Sequence, residues 1–109
     1  MATTYKVLGQ SDPAATTNTT LYTCPASTQT VISTIVVCNR GAASGTYRIA
    51  IRPNGATLAD EHYIVFDTTA SAVSTTAYTL GITIDASDVI TVYSSTSDFS
   101  FNAFGSEIA

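Results

Sequence analysis

From Thr4 to Phe104 short runs of alternating or continuous apolar residues follow one another, each closed by Gly, Pro, Asn, Asp or a Ser/Thr cluster. No stretch of helical periodicity lies between them. Evenly spaced short strands with turn residues between them predict an all-β fold, a single small β-sandwich, Ig-like or jelly-roll, of about eight antiparallel strands.

Thr4–Leu8 reads as a first strand and Leu21–Cys24 as a second, stopped by Pro25-Ala26-Ser27. Between them, Gly9–Thr20 is too polar to bury and is expected to be a long surface loop, or an arm that orders on a neighbour. Gln29–Cys38 is the longest run. Strict alternation would place Val31, Ser33, Ile35 and Val37 on one face and Ile32, Thr34, Val36 and Cys38 on the other. Apolar residues on both faces predict a central strand, or one covered by a partner subunit.

After the turn Asn39–Gly45, Tyr47, Ile49 and Ile51 alternate with Arg48, Ala50 and Arg52, so both arginines share the outer face. Pro53-Asn54-Gly55 is a turn, because Pro fixes φ and Asn-Gly accepts positive φ. A strand over His62–Asp67 is expected to set His62, Ile64 and Phe66 against Tyr63 and Val65, and to break at Thr68–Ser71. Val73–Ile84 reads as two strand pieces kinked near Gly81. Asp85–Asp88 turns into Val89–Ser94, and the last strand sets Phe99, Phe101 and Ala103 opposite Ser100, Asn102 and Phe104. Residues 1–109 make one domain.

Composition narrows the function. About three residues in ten are Thr or Ser, while only 11% are charged, against roughly 25% in ordinary soluble domains. The surface is hydroxylated rather than ionic. With 45% hydrophobic residues, association with other subunits is the simplest way to cover apolar surface. Lys6, Arg40, Arg48 and Arg52 are the only Lys and Arg residues and the net charge is −4, so no basic stripe for nucleic acid is expected. The start, Met1–Lys6, has neither the basic segment nor the apolar core of a signal peptide. No apolar run reaches the roughly 18 residues of a membrane span. Cytosolic synthesis and no membrane partner are the expectations. Asn18-Thr19-Thr20 matches a glycosylation sequon that carries no weight without export.

Candidate chemistry is sparse. Nucleophilic catalysis would have to use His62, the single histidine, beside Asp60 and Glu61. No Gly-x-Ser-x-Gly elbow accompanies it, so a packed or interface histidine is expected. Asp85 with Asp88, and Asp60 with Glu61, lack the full alternating acid loop of a calcium site and read as turn residues. No catalytic residue, metal or cofactor is assigned. If Pro25–Thr28 is tight, Cys24 and Cys38 stand about 30 Å apart along the ladder, too far to bond. Two buried reduced thiols are expected, with a bond from one Cys to a neighbouring subunit after release as the alternative. Tyr5, Tyr22, Tyr47, Tyr63, Tyr78 and Tyr93 are spread over nearly every strand, which favours core and interface packing over one sugar-stacking patch.

Leu21-Tyr22-Thr23-Cys24-Pro25-Ala26-Ser27, followed by Thr30–Gly41, then Tyr47–Pro53 and the closing Phe101–Ser106, resembles small virion structural proteins of tailed bacteriophages, cyanophages among them. The resemblance spans most of the chain and its motifs are structural rather than chemical. It implies a β-sandwich of the capsid surface or of tail and fibre assemblies, built in the host cytoplasm and localised to the virion. The leading expectation is a non-enzymatic capsid decoration, or cement, protein that binds the major capsid protein or other virion proteins over capsomer junctions. A homo-oligomer is expected, a trimer because shells offer three-fold junctions. The alternative is a receptor- or glycan-binding module of a tail fibre or baseplate.

Overall fold

The computed structural model describes residues 2–109. Nine strands form: β1 Thr3–Ser11, β2 Thr19–Thr23, β3 Gln29–Asn39, β4 Gly45–Arg52, β5 Tyr63–Ala70, β6 Ser74–Tyr78, β7 Ile82–Ile84, β8 Val89–Ser94 and β9 Phe99–Ile108. They build two antiparallel sheets, β1-β9-β3-β6 with β7 also on β3, and β2-β8-β4-β5. β6 lies against Ile35–Asn39 and β7 against Thr30–Ile32, on the same edge of β3. They are two halves of one broken strand. The break is at Gly81, whose φ of +68° is open to glycine and strained for other residues.

Counting β6 and β7 as one strand gives the orders 1-8-3-6 and 2-7-4-5. Only β4 and β5 are consecutive and paired; every other connection between distinct strands crosses from one sheet to the other. In an Ig-like sandwich several sequential strands pair within a sheet. The crossing pattern is that of a jelly roll, which decides between the two expected topologies.

Between the sheets lies one core. Ile32, Ile35, Val37, Phe99, Phe101 and Ala103 face Leu21, Tyr47, Ile49, Ile90 and Val92. Tyr47 sits at its centre, its ring 5.9 Å from Phe99 and 6.3 Å from Phe101, both tilted or edge-on. Offset and edge-on pairs add roughly 0.5–1.5 kcal/mol each beyond the area they bury. The Tyr47 hydroxyl shares a hydrogen bond with Tyr78, so its polar end is satisfied. At one end of the core, buried Asn39 donates to the carbonyls of Ala43, Ala70 and Ser71 and accepts from the Gly41 N–H. That amide staples the β3–β4 connection to the β5–β6 connection.

Bulges correct two expected alternations. The β3–β9 register shifts between Ile32 and Thr34, so Ser33 is an extra residue and the phase flips there. Thr30 and Ile32 point inward before it; Ile35, Val37 and Asn39 point inward after it. Ile32 therefore joins Ile35 and Val37 instead of opposing them. β3 is central, as its two apolar faces require. Opposite the bulge stands Gly105, where a Cβ would press into the Val31 carbonyl.

The second correction is β5. Its register with β4 shifts twice, between Tyr47 and Ile49 and between Ile49 and Ala50. Tyr63 and Phe66, expected on opposite faces, meet edge to face with ring centroids 4.9 Å apart. The strand continues to Ala70 rather than breaking at Thr68. His62 closes a 3-10 turn over Asp60–His62 and is not in the strand.

The expected arm at Gly9–Thr20 is also shorter. Gly9, Gln10 and Ser11 pair with Ala103, Asn102 and Phe101, and Thr19 and Thr20 pair with Val92 and Thr91. Polar residues suffice there because an edge strand leaves much of its surface wet. The remaining connection lies against the body: Pro13 is buried, the Thr16 N–H donates to the Ser94 carbonyl at 2.8 Å, and Asp12 pairs with Arg40 at 2.8 Å.

Candidate functional site

Of the residues with catalytic or metal-binding chemistry, His62, Asp85 and Asp88 are occupied by turn architecture. His62 Nδ1 accepts the Ala59 N–H at 3.0 Å, which closes the turn and uses the nitrogen a general base would need. Asp88 accepts the N–H groups of Asn54 and Asp85, while Asp85 accepts that of Ala86. The two carboxylates hold turns. Among the described residues, no three of His, Cys, Asp and Glu cluster as metal ligands. Cys24 and Cys38 are both free, Cys24 buried and Cys38 only partly so; the expectation of two buried thiols holds for the first alone.

A polar network closes one end of the sandwich. Tyr22 donates to a Glu107 oxygen and shares a hydrogen bond of 2.8 Å with Thr30, whose hydroxyl meets the Cys24 thiol at 3.1 Å. Lys6 Nζ reaches the other Glu107 oxygen at 2.8 Å. Burial, and then the bond to Glu107, push the Tyr22 phenol above its ordinary value. Lys6, followed by Tyr22, holds the Glu107 carboxyl below its ordinary value. Every group is partnered, so the network reads as an anchor rather than a reaction centre.

Two outer faces are more informative. On the β1-β9-β3-β6/β7 sheet, the register aligns Val7, Phe104 and Thr34 in one row. Tyr5, Ser106, Val31 and Thr83 form another, and Gln10, Asn102, Val36 and Ala77 a third. The ion pair of Asp12 and Arg40 stands at one end of this face, Asp12 beside Gln10, Ser100 and Asn102, and the three rows themselves carry no charge; Lys6 and Glu107 point to the other side of the sheet, into the network. Tyr5 is 83% exposed, Val7 50% and Phe104 37%. Exposed aromatic rings with depleted charge are the composition of an interface centre rather than of a solvated face.

The outer face of the second sheet is built around Arg48. Its guanidinium carbon lies 4.4 Å from the Phe66 ring centroid and 4.2 Å from that of Tyr93. It donates to both oxygens of Asp67, at 2.6 and 3.2 Å. That ion pair pushes the Asp67 carboxyl down and the Arg48 guanidinium up from their ordinary values. Arg48 and Tyr93 are cross-strand partners; the β5 bulges bring Phe66 to them. Strict alternation had scattered the tyrosines, and here it conceals a patch. The shared outer face of Arg48 and Arg52 was its one sequence signal.

No protein-family model matches the chain, and neither curated proteins nor solved structures give a match. The likeness to virion proteins rests on the sequence motifs alone.

The sheet edges limit how the chain can associate. Lys6 turned inward on β1, the bulges and positive φ of Asp67 on β5, and the break at Gly81 between β6 and β7 all disfavour strand-to-strand addition. The fourth edge, β2, is only five residues long and is irregular between Thr20 and Tyr22, so faces rather than edges are the surfaces left for partners.

Proposed function

We propose that this protein is a non-enzymatic capsid decoration protein of a tailed bacteriophage. It binds as a homo-oligomer, a trimer, over junctions between major capsid subunits and ties them together. The observation that carries this reading is the charge-poor outer face of the first sheet, with Tyr5 and Val7 exposed on its β1 edge and Phe104 beside them on β9. That face is the docking surface. The blocked edges and the jelly-roll frame, used in viral shells, support it, as does the sequence resemblance.

Cementing works by mass action. A ligand that binds only the assembled shell stabilises it by RT ln(1 + [L]/Kd), about 2.7 kcal/mol per site at a hundredfold excess over Kd. Particles lacking the protein are expected to release DNA at lower temperature, and adding the purified chain restores them. Val7→Asp and Phe104→Asp, both at exposed positions, keep the melting point yet fail to co-sediment with particles. Equal release temperatures with and without the protein sink the cement role. Normal attachment of the two variants moves the docking surface elsewhere.

A further inference from the structure

We infer that the second sheet carries a saccharide-binding site, centred on Phe66, Tyr63 and Asp60, that takes one pyranose ring of a neutral glycan. These three residues line an open hollow of about 420 Å³, within the ~300–1,000 Å³ range of small-ligand pockets. Phe66 lines it and is 55% exposed. Tyr63 lines it too, its ring centroid 4.9 Å from that of Phe66 and its plane 77° to it. Asp60 brings a carboxylate that has no ion-pair partner among the described residues.

The chemistry of these groups selects the ligand. A sugar ring has a face of C–H bonds and a rim of hydroxyls. The C–H face packs on an aromatic ring, while a carboxylate and a phenol take the hydroxyl hydrogen bonds. A wholly apolar ligand would leave Asp60 desolvated and unpartnered, which is costly. An anion would meet Asp60, and Arg48 is already held by both Asp67 oxygens. A quaternary cation would compete with Arg48, whose guanidinium already occupies a face of Phe66 at 4.4 Å.

The platform is also fixed in advance. Arg48 is clamped between Phe66, Tyr93 and Asp67, so the Phe66 ring loses little freedom on binding. The β5 bulges that aim it outward are devices found beside functional sites. The site stands on the sheet opposite the proposed docking face, and it depends in no way on the capsid reading.

Saturation-transfer NMR on the purified full chain tests the inference with four disaccharides, cellobiose, lactose, mannobiose and chitobiose, and with choline as the competing cation. At least one disaccharide is expected to bind with a millimolar Kd. Transfer should be strongest to the ring C–H protons of one face, with amide shifts confined to the surroundings of residues 60–66. Phe66→Ala and Asp60→Asn should each weaken binding about tenfold, the equivalent of 1.4 kcal/mol, with the amide spectrum otherwise unchanged. Phe66 is exposed and Asp60→Asn is isosteric, so at least one variant reports on a folded chain. No transfer to any of the four sugars at about 10 mM, roughly ten times the expected Kd, overturns the inference. So does choline binding in their place, or sugar binding that survives both substitutions.

Discussion

Replacing Tyr22 by Phe removes one oxygen from the end of the core and nothing else. That oxygen donates to Glu107 and shares a bond with Thr30. A neutral hydrogen bond contributes about 1 kcal/mol net and one to a charged group about 1.5–3 kcal/mol, a sum of about 2.5–4 kcal/mol. Neither partner is orphaned, since Thr30 keeps the Cys24 thiol and Glu107 keeps Lys6. The expected loss is therefore near the lower end, about 2–3 kcal/mol, or about 10 °C in melting temperature for a domain of this size. The loss is pH-dependent. The folded Glu107 carboxyl lies below its unfolded value, so its stabilisation is present above the unfolded pKa of about 4.3 and disappears as pH falls through the folded value. Urea melts of both proteins at pH 7 and at pH 3 should show the gap narrowing in acid. A loss below about 0.5 kcal/mol at pH 7, or the same gap at both pH values, would refute the assignment of Tyr22 and Glu107 as a charge-assisted pair.

Phe101→Ala empties the centre of the core, where Phe101 is fully buried; calorimetry should report a loss of about 3–5 kcal/mol, and a smaller loss would mean that the sheets collapse onto the gap. Val73 is 79% exposed at a φ of +49°, a conformation that is strained for a β-branched residue. Val73→Gly is expected to raise stability by about 0.5–1 kcal/mol despite glycine's unfolded-state entropy; a lower denaturation midpoint would show that the valine side chain makes an unrecognised contribution. Cys38, on the outer face of the first sheet and partly exposed, should react with a maleimide in the native protein, whereas Cys24 at 1% exposure reacts only on unfolding. On decorated particles Cys38 is expected to be protected, and mass-spectrometric labelling that finds it equally reactive there argues against docking through this sheet.

Strand identity was legible because alternating apolar residues and turn residues act locally. Val89–Ser94 has the predicted bounds, and the kink near Gly81 falls where a missing side chain was needed. What alternation hides is a bulge. Ser33 adds a residue to β3 only because Gly105 opposite leaves its backbone room, a pairing about seventy residues distant in sequence. The same kind of insertion in β5 carries Phe66 to Arg48 and Tyr63, so the aromatic patch was invisible to a reading that assumed period two. The end network of Lys6, Tyr22, Thr30 and Glu107 joins four separate strands and has no local signature. The topology was left open for a related reason: patterning reports that strands exist, while their order is set by which long connections cross between the sheets.

The position of β9 has a consequence for the chain as it is made. β9, made after the other eight strands, lies between β1 and β3, so neither can complete its ladder until residues 99–108 have left the ribosome. Only the β4–β5 hairpin joins neighbours in sequence, and it can close early. Until then β6 and β7 can cover only one edge of β3, and the other edge of the β-prone Val31–Val37 segment stays open to any other unfinished copy nearby. Dense co-expression should therefore penalise this chain during synthesis far more than crowding does after it has folded.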